Sequence, residues 1–214
     1  MRISSPALAF SAFITLTATL SAGTIVSNGP ATSTSFQIGG PNSQVDAVVW
    51  IQSSDLTGAS ISALIGSVDG GSDTVNVYLL QNVQTNVIAS TTVTVGSFTS
   101  SSDFTPVTLF SGLSLPTAAY AVVLFNGDTS GETTVRWAVG GSTNNTSDGT
   151  FAGTSYSNSP VTNVSSPYLS TFSTSPAALG FTVTGDVATP EPGTFFGILP
   201  ALAVVGLIRR RVNL

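Results

Sequence analysis

Over the middle of the chain, runs recur that either alternate apolar and polar residues with a period of two or are apolar and β-rich throughout. The stretches 45–51 (VDAVVWI), 60–65 (SISALI), 74–80 (TVNVYLL) and 87–95 (VIASTTVTV) show this. So do 119–125 (AYAVVLF), 133–139 (TTVRWAV) and 179–184 (LGFTVT). A period of two sends alternate side chains to opposite faces of an extended chain, and Val, Ile, Thr, Tyr and Phe fit a pleated, half-buried surface. Each stretch therefore predicts a β-strand. Asp69-Gly70-Gly71, Asn126-Gly127-Asp128, Gly140-Gly141-Ser142 and Asp148-Gly149 separate them as turns. Residues 126–134 read as a hairpin loop joining two strands. Residues 144–159, rich in Ser, Thr, Asn and Gly, read as a long exposed loop or an irregular edge strand. No stretch between the termini carries a sustained helical stripe. Many short strands with glycine-rich turns predict an all-β fold, an antiparallel β-sandwich or jelly roll, over residues 24–186.

The two ends break this pattern. At the N-terminus, Arg2 is followed by uncharged residues 3–20 and then by Ser21-Ala22-Gly23. One positive charge, a modest apolar stretch and small residues at its end predict a helical secretory signal peptide over 1–23. At the C-terminus, residues 187–214 begin with a short linker into Pro190-Glu191-Pro192-Gly193. An apolar span, 195–208, follows, and then Arg209-Arg210-Arg211. The span predicts a short hydrophobic helix. It is shorter than the roughly 20 residues that cross a bilayer comfortably, and Pro200 interrupts it. The arginines favour the cytoplasmic side, leaving the β-rich part outside. A span this short with a charged end suits a temporary anchor. The two prolines of the motif remove backbone donors and hold the chain extended, open to an enzyme.

This three-part ending resembles the PEP-CTERM sorting signal of Gram-negative bacteria. The resemblance implies recognition and cleavage near Pro190-Glu191-Pro192 by a membrane-embedded exosortase, after export by the general secretion machinery. It implies an inner-membrane-anchored intermediate and a final place at the cell surface or in an exopolysaccharide or biofilm matrix. A second resemblance covers residues 76–139. Strand 75–79 and the later segment 113–124, followed by a strand holding Trp137, look like the choice-of-anchor β-sandwich domains often found ahead of this signal. Ala119 stands where that family usually has glycine before the tyrosine.

Composition narrows the function classes. Only 7% of residues are charged, and Ser and Thr make up about three residues in ten. There is no lysine, and of the five basic residues only Arg136 lies away from the termini. An acidic middle repels phosphate backbones, which excludes nucleic acid as a partner. Cysteine and histidine are both absent. This excludes disulfides, thiolate and imidazole metal sites, and any nucleophile that needs a histidine base.

Few residues remain as candidates for chemistry. Asp69 and Asp73 in one loop, and Asp128 and Glu132 in another, offer closely spaced carboxylates of the kind that calcium takes. The competing reading is solvated turn residues. Trp50 and Trp137 either fill the core or form a sugar-stacking platform. Arg136 alternates with Val135 and Trp137, so it faces solvent or a nearby carboxylate. The expectation is a non-enzymatic, exported structural or adhesive protein. The alternatives are a carbohydrate-binding module of the exopolysaccharide matrix, or a secreted hydrolase with two facing carboxylates.

Overall fold

The computed structural model describes residues 22–39, 44–68, 71–82, 86–98, 104–126, 135–157 and 173–188. The expected signal peptide, apart from Ala22 and Gly23, and the whole Pro-Glu-Pro, apolar and arginine ending lie outside these residues, as do both expected terminal helices. Within them the chain forms only strands. They are β1 (Gly23–Asn28), β2 (Ala31–Gln37), β3 (Val45–Gln52), β4 (Leu56–Ser67), β5 (Asp73–Gln81), β6 (Asn86–Val95) and β7 (Pro106–Leu115). After these come β8 (Ala118–Phe125), β9 (Val135–Gly140), β10 (Thr143–Asn145), β11 (Gly149–Ser157), β12 (Ser173–Ser175) and β13 (Phe181–Val187).

Two antiparallel sheets stack as a β-sandwich. One has the order β10-β1-β13-β4-β9-β2, with β7 also paired to β4. The other has the order β12-β11-β3-β8-β5-β6. Strand β4 is long enough to serve several neighbours. Its residues Leu56 to Ala63 pair with β13, and Ile65 to Ser67 pair with β9. Its residues Leu56 to Leu64 also pair with β7.

The period-two pattern explains the core between the sheets. Ala59, Ile61, Ala63 and Ile65 of β4 are buried. Val48 and Trp50 of β3, Val75, Val77 and Leu79 of β5, and Tyr120, Val122 and Leu124 of β8 join them in one cluster. Each buried Val, Leu or Ile among them contributes about 1.5–3 kcal/mol by leaving water. Aromatic rings bridge the two sheets: Trp50 of β3 lies 5.9 Å from Phe181 of β13, and Phe181 lies 6.1 Å from Phe151 of β11.

The central strand β8 is apolar on both faces, so its pattern is nearly continuous rather than alternating. Its other face carries Ala121, Val123 and Phe125, which cluster with Val45, Ala47 and Leu80 of the neighbouring strands as a second, smaller apolar group.

Two local expectations are corrected. Residues 126–134 do not join a hairpin, because β8 and β9 belong to different sheets. Both flanking strands are apolar enough to pair with many partners, and their sequence does not say which. The described part of 144–159 is not one long loop: its start belongs to a short edge strand, β10, and most of the rest to β11, a strand paired on one side to β3 and on the other to β12. Its hydroxyl-rich sequence hides a strand because the ladder, not side-chain burial, holds it.

Candidate functional sites

Both tryptophans are fully buried. Trp50 stacks on Tyr120 with ring centroids 5.4 Å apart. Trp137 donates its indole Nε1–H to the Gly180 carbonyl at 2.8 Å. Their strands place them by parity with buried neighbours, so the apolar run around each ring is its packing environment. The sugar-platform reading of Trp50 and Trp137 is thus corrected: neither ring reaches the surface. Arg136 is half-buried between the fully buried Val135 and Trp137. It has no ion-pair partner among the described residues.

Of the four carboxylates expected to bind calcium, Asp69, Asp128 and Glu132 lie outside the described residues. Asp73 opens β5, where its Oδ1 accepts the Thr74 backbone N–H at 2.9 Å. Among the described residues, no three Asp or Glu side chains gather as a metal-holding group.

Two other carboxylates fasten turns together at one end of the sandwich. Asp55 Oδ1 accepts from the Thr117 backbone N–H at 2.7 Å and from its hydroxyl at 3.0 Å. Asp148 Oδ1 accepts from the Ser54 hydroxyl at 2.6 Å. The turn after β3 is thereby bound to the β7–β8 turn and to the β10–β11 turn. Gln52 adds a buried bond from Nε2 to the Leu115 carbonyl at 2.6 Å. The Tyr120 hydroxyl donates to the Pro116 carbonyl at 2.7 Å. Burial raises the Tyr120 phenol above its ordinary pKa of 10.0, against a smaller opposing effect from Gln81. These contacts tie three turns together at that end.

The most perturbed ionisable group among the described residues is Asp46, which the sequence did not mark as a candidate. It is fully buried on the inner face of β3. Its cross-strand neighbours are Leu124 of β8 and Tyr156 of β11. Gln44 Nε2 donates to its Oδ1 at 3.2 Å, and Oδ2 has no hydrogen-bond partner. Burial pushes its pKa from the ordinary 3.8 up to about 7, with the Gln44 bond pulling the other way. An uncompensated carboxylate in an apolar interior keeps its proton because desolvation disfavours the charge. A signal for this was present in the sequence: Asp46 has the same parity as Val48 and Trp50, which places it on the core face.

One groove of about 320 Å³ opens beside the cis Gly29–Pro30 peptide bond. Its walls include Pro30, Leu64, Phe104 and Pro106, with Ser62 and Thr182 supplying hydroxyls. Its described lining is mostly apolar, with no titratable side chain among the described residues. No family model and no curated protein matches this chain.

Proposed function

We propose that the protein is an exported, non-enzymatic β-sandwich that serves a structural or adhesive role at the cell surface or in an exopolysaccharide matrix. The observation that carries this reading is the ordered ending of the sequence. Pro190-Glu191-Pro192, the apolar span 195–208 and Arg209-Arg210-Arg211 follow one another in the order of a PEP-CTERM signal. The N-terminal run after Arg2 supports entry into the general secretion pathway. Between these ends, a surface of hydroxyls with few charges suits a protein that works among polysaccharides.

In this reading the span stops transfer at the inner membrane, and an exosortase cleaves near Pro190-Glu191-Pro192. The released sandwich then passes outward. The test is mass spectrometry of the mature C-terminus from the native host, with and without its exosortase. The expected product with the exosortase lacks Arg209, Arg210 and Arg211, and the product without it retains them. A surface-located protein with the arginine tail intact refutes the processing step.

A further inference from the structure

We propose that β6 is a self-association edge, and that two copies of this chain pair β6 to β6, antiparallel, into one continuous sheet. The inference stands apart from the sorting reading, because it rests on how the sandwich treats its open edges.

Among the described residues, five strands have a neighbour on one side only: β2, β7, β10, β12 and β6. An open edge presents free N–H and C=O groups, and proteins that remain single blunt such edges with short strands, bulges, proline or charge. Four of the five are blunted. Strands β10 and β12 have 3 residues each. The register of β2 with β9 breaks between Ala31 and Ser35. Strand β7 opens on Pro106, shifts register against β4 repeatedly, and has Gly112 at φ 69°.

Strand β6 has none of these devices along most of its length. It has 10 residues, with no proline, glycine or charged side chain. Its single irregularity lies near Ile88, opposite Leu79 and Leu80, and the ladder from Ala89 to Val95 is regular. Beyond Val95, Ser97 bridges to Ser67 of β4, so that end is tied into the other sheet. From Asn86 to Thr94 the outer backbone groups have no hydrogen-bond partner among the described residues.

The chemistry of the strand favours a second copy as occupant. A two-fold interface sets each residue against a residue of the same strand. Copies of a protein with net charge −5 repel one another in general, but β6 brings no charge to the contact. In a register that keeps the exposed face continuous, its Thr, Ser and Val side chains form favourable cross-strand pairs with one another. Ile88 adds an exposed apolar side chain, 39% accessible, at the same edge.

The absence of cysteine makes the test direct, because a single introduced thiol can link only to its own copy. The full chain is prepared with one cysteine in turn at each position from Ile88 to Thr94 and, on the three-residue edge β10, as Thr143→Cys. Each is oxidised at low concentration. In an antiparallel two-fold pair only the residue at the centre meets its own copy, so a disulfide-linked dimer confined to one position or its neighbours on β6, with none at Thr143, supports the pairing. Linking at Thr143 equal to that on β6, or none at any β6 position, overturns it. Sedimentation of Ser90→Lys/Thr94→Lys provides a second reading. The dimer midpoint is expected to move at least about tenfold to higher concentration, a change of about 1.4 kcal/mol. Thr143→Lys is expected to leave it in place. A dimer midpoint unchanged by the β6 lysines overturns the proposal, as does a wild-type chain that stays monomeric throughout.

Discussion

Trp50 and Tyr120 face each other across the β3–β8 ladder, with their rings stacked at an interplanar angle of 24°. The pair lies at the centre of the sandwich, and Phe181 of the opposite sheet closes on Trp50 from above. One aromatic side chain thus touches both layers. Trp50→Ala is expected to cost about 3–5 kcal/mol of stability, because it opens a cavity that both sheets must collapse to fill. Urea denaturation measures it. A loss below about 1 kcal/mol contradicts the packing described.

The two tryptophans differ in what their indole N–H groups do. Trp137 Nε1 donates to Gly180, whereas Trp50 Nε1 is buried with no partner. Replacing Trp137 with Phe removes a buried hydrogen bond in addition to ring volume. Replacing Trp50 with Phe removes volume and an unsatisfied donor. The Trp137→Phe variant is therefore expected to lose more stability than Trp50→Phe, by about 1 kcal/mol or more. Equal losses in parallel denaturation curves would contradict it.

Asp46 gives the fold a definite pH dependence. Its native carboxyl releases a proton near pH 7, and the unfolded chain releases it near 3.8. Between those values the native state holds a proton that the unfolded state has lost, so stability falls as pH rises. The fall totals on the order of 4 kcal/mol across this window and levels off on either side. Asp46→Asn has no such proton to lose. Its stability is expected to stay flat over the same range and to exceed wild type above pH 7. Chemical denaturation at a series of pH values tests both statements, and a wild-type slope of opposite sign would refute them.

Glycine at 140 is required by close approach. A Cβ there would lie 2.7 Å from the Asn28 backbone carbon, where β9 meets the end of β1. Backbone cannot turn aside as a flexible side chain can. Gly140→Ala is expected to destabilise by about 1–3 kcal/mol. Gly96→Ala places its methyl in open space and is expected to leave the melting temperature near wild type.

Legibility in the sequence followed side-chain burial. Strands β3, β5, β6 and β8 were readable because alternate or continuous apolar residues mark which faces are dry. Strands β1, β2, β7 and β11 were not assigned from sequence. In β11 (GTFAGTSYS) and β2 (ATSTSFQ), hydroxyls and glycine dominate, and the backbone ladder to a neighbour holds the strand. A ladder partner is distant in sequence and leaves no local mark. The same holds for Asp46: its parity was visible, but its isolation from any base depends on which strands lie beside it.

The sequence by itself determined the all-β class, the positions of the strongest strands, and the absence of any cysteine or histidine chemistry. These depend on local periodicity and composition, which the linear order of residues contains. The tertiary structure alone decided how strands divide between the two sheets and that β8 and β9 lie across the sandwich from each other. It also decided which carboxylate is stripped of water and which edge is left open. Each of these depends on pairing between segments far apart in the chain. Many such pairings satisfy the same hydrophobic pattern, and only packing both sheets together selects among them.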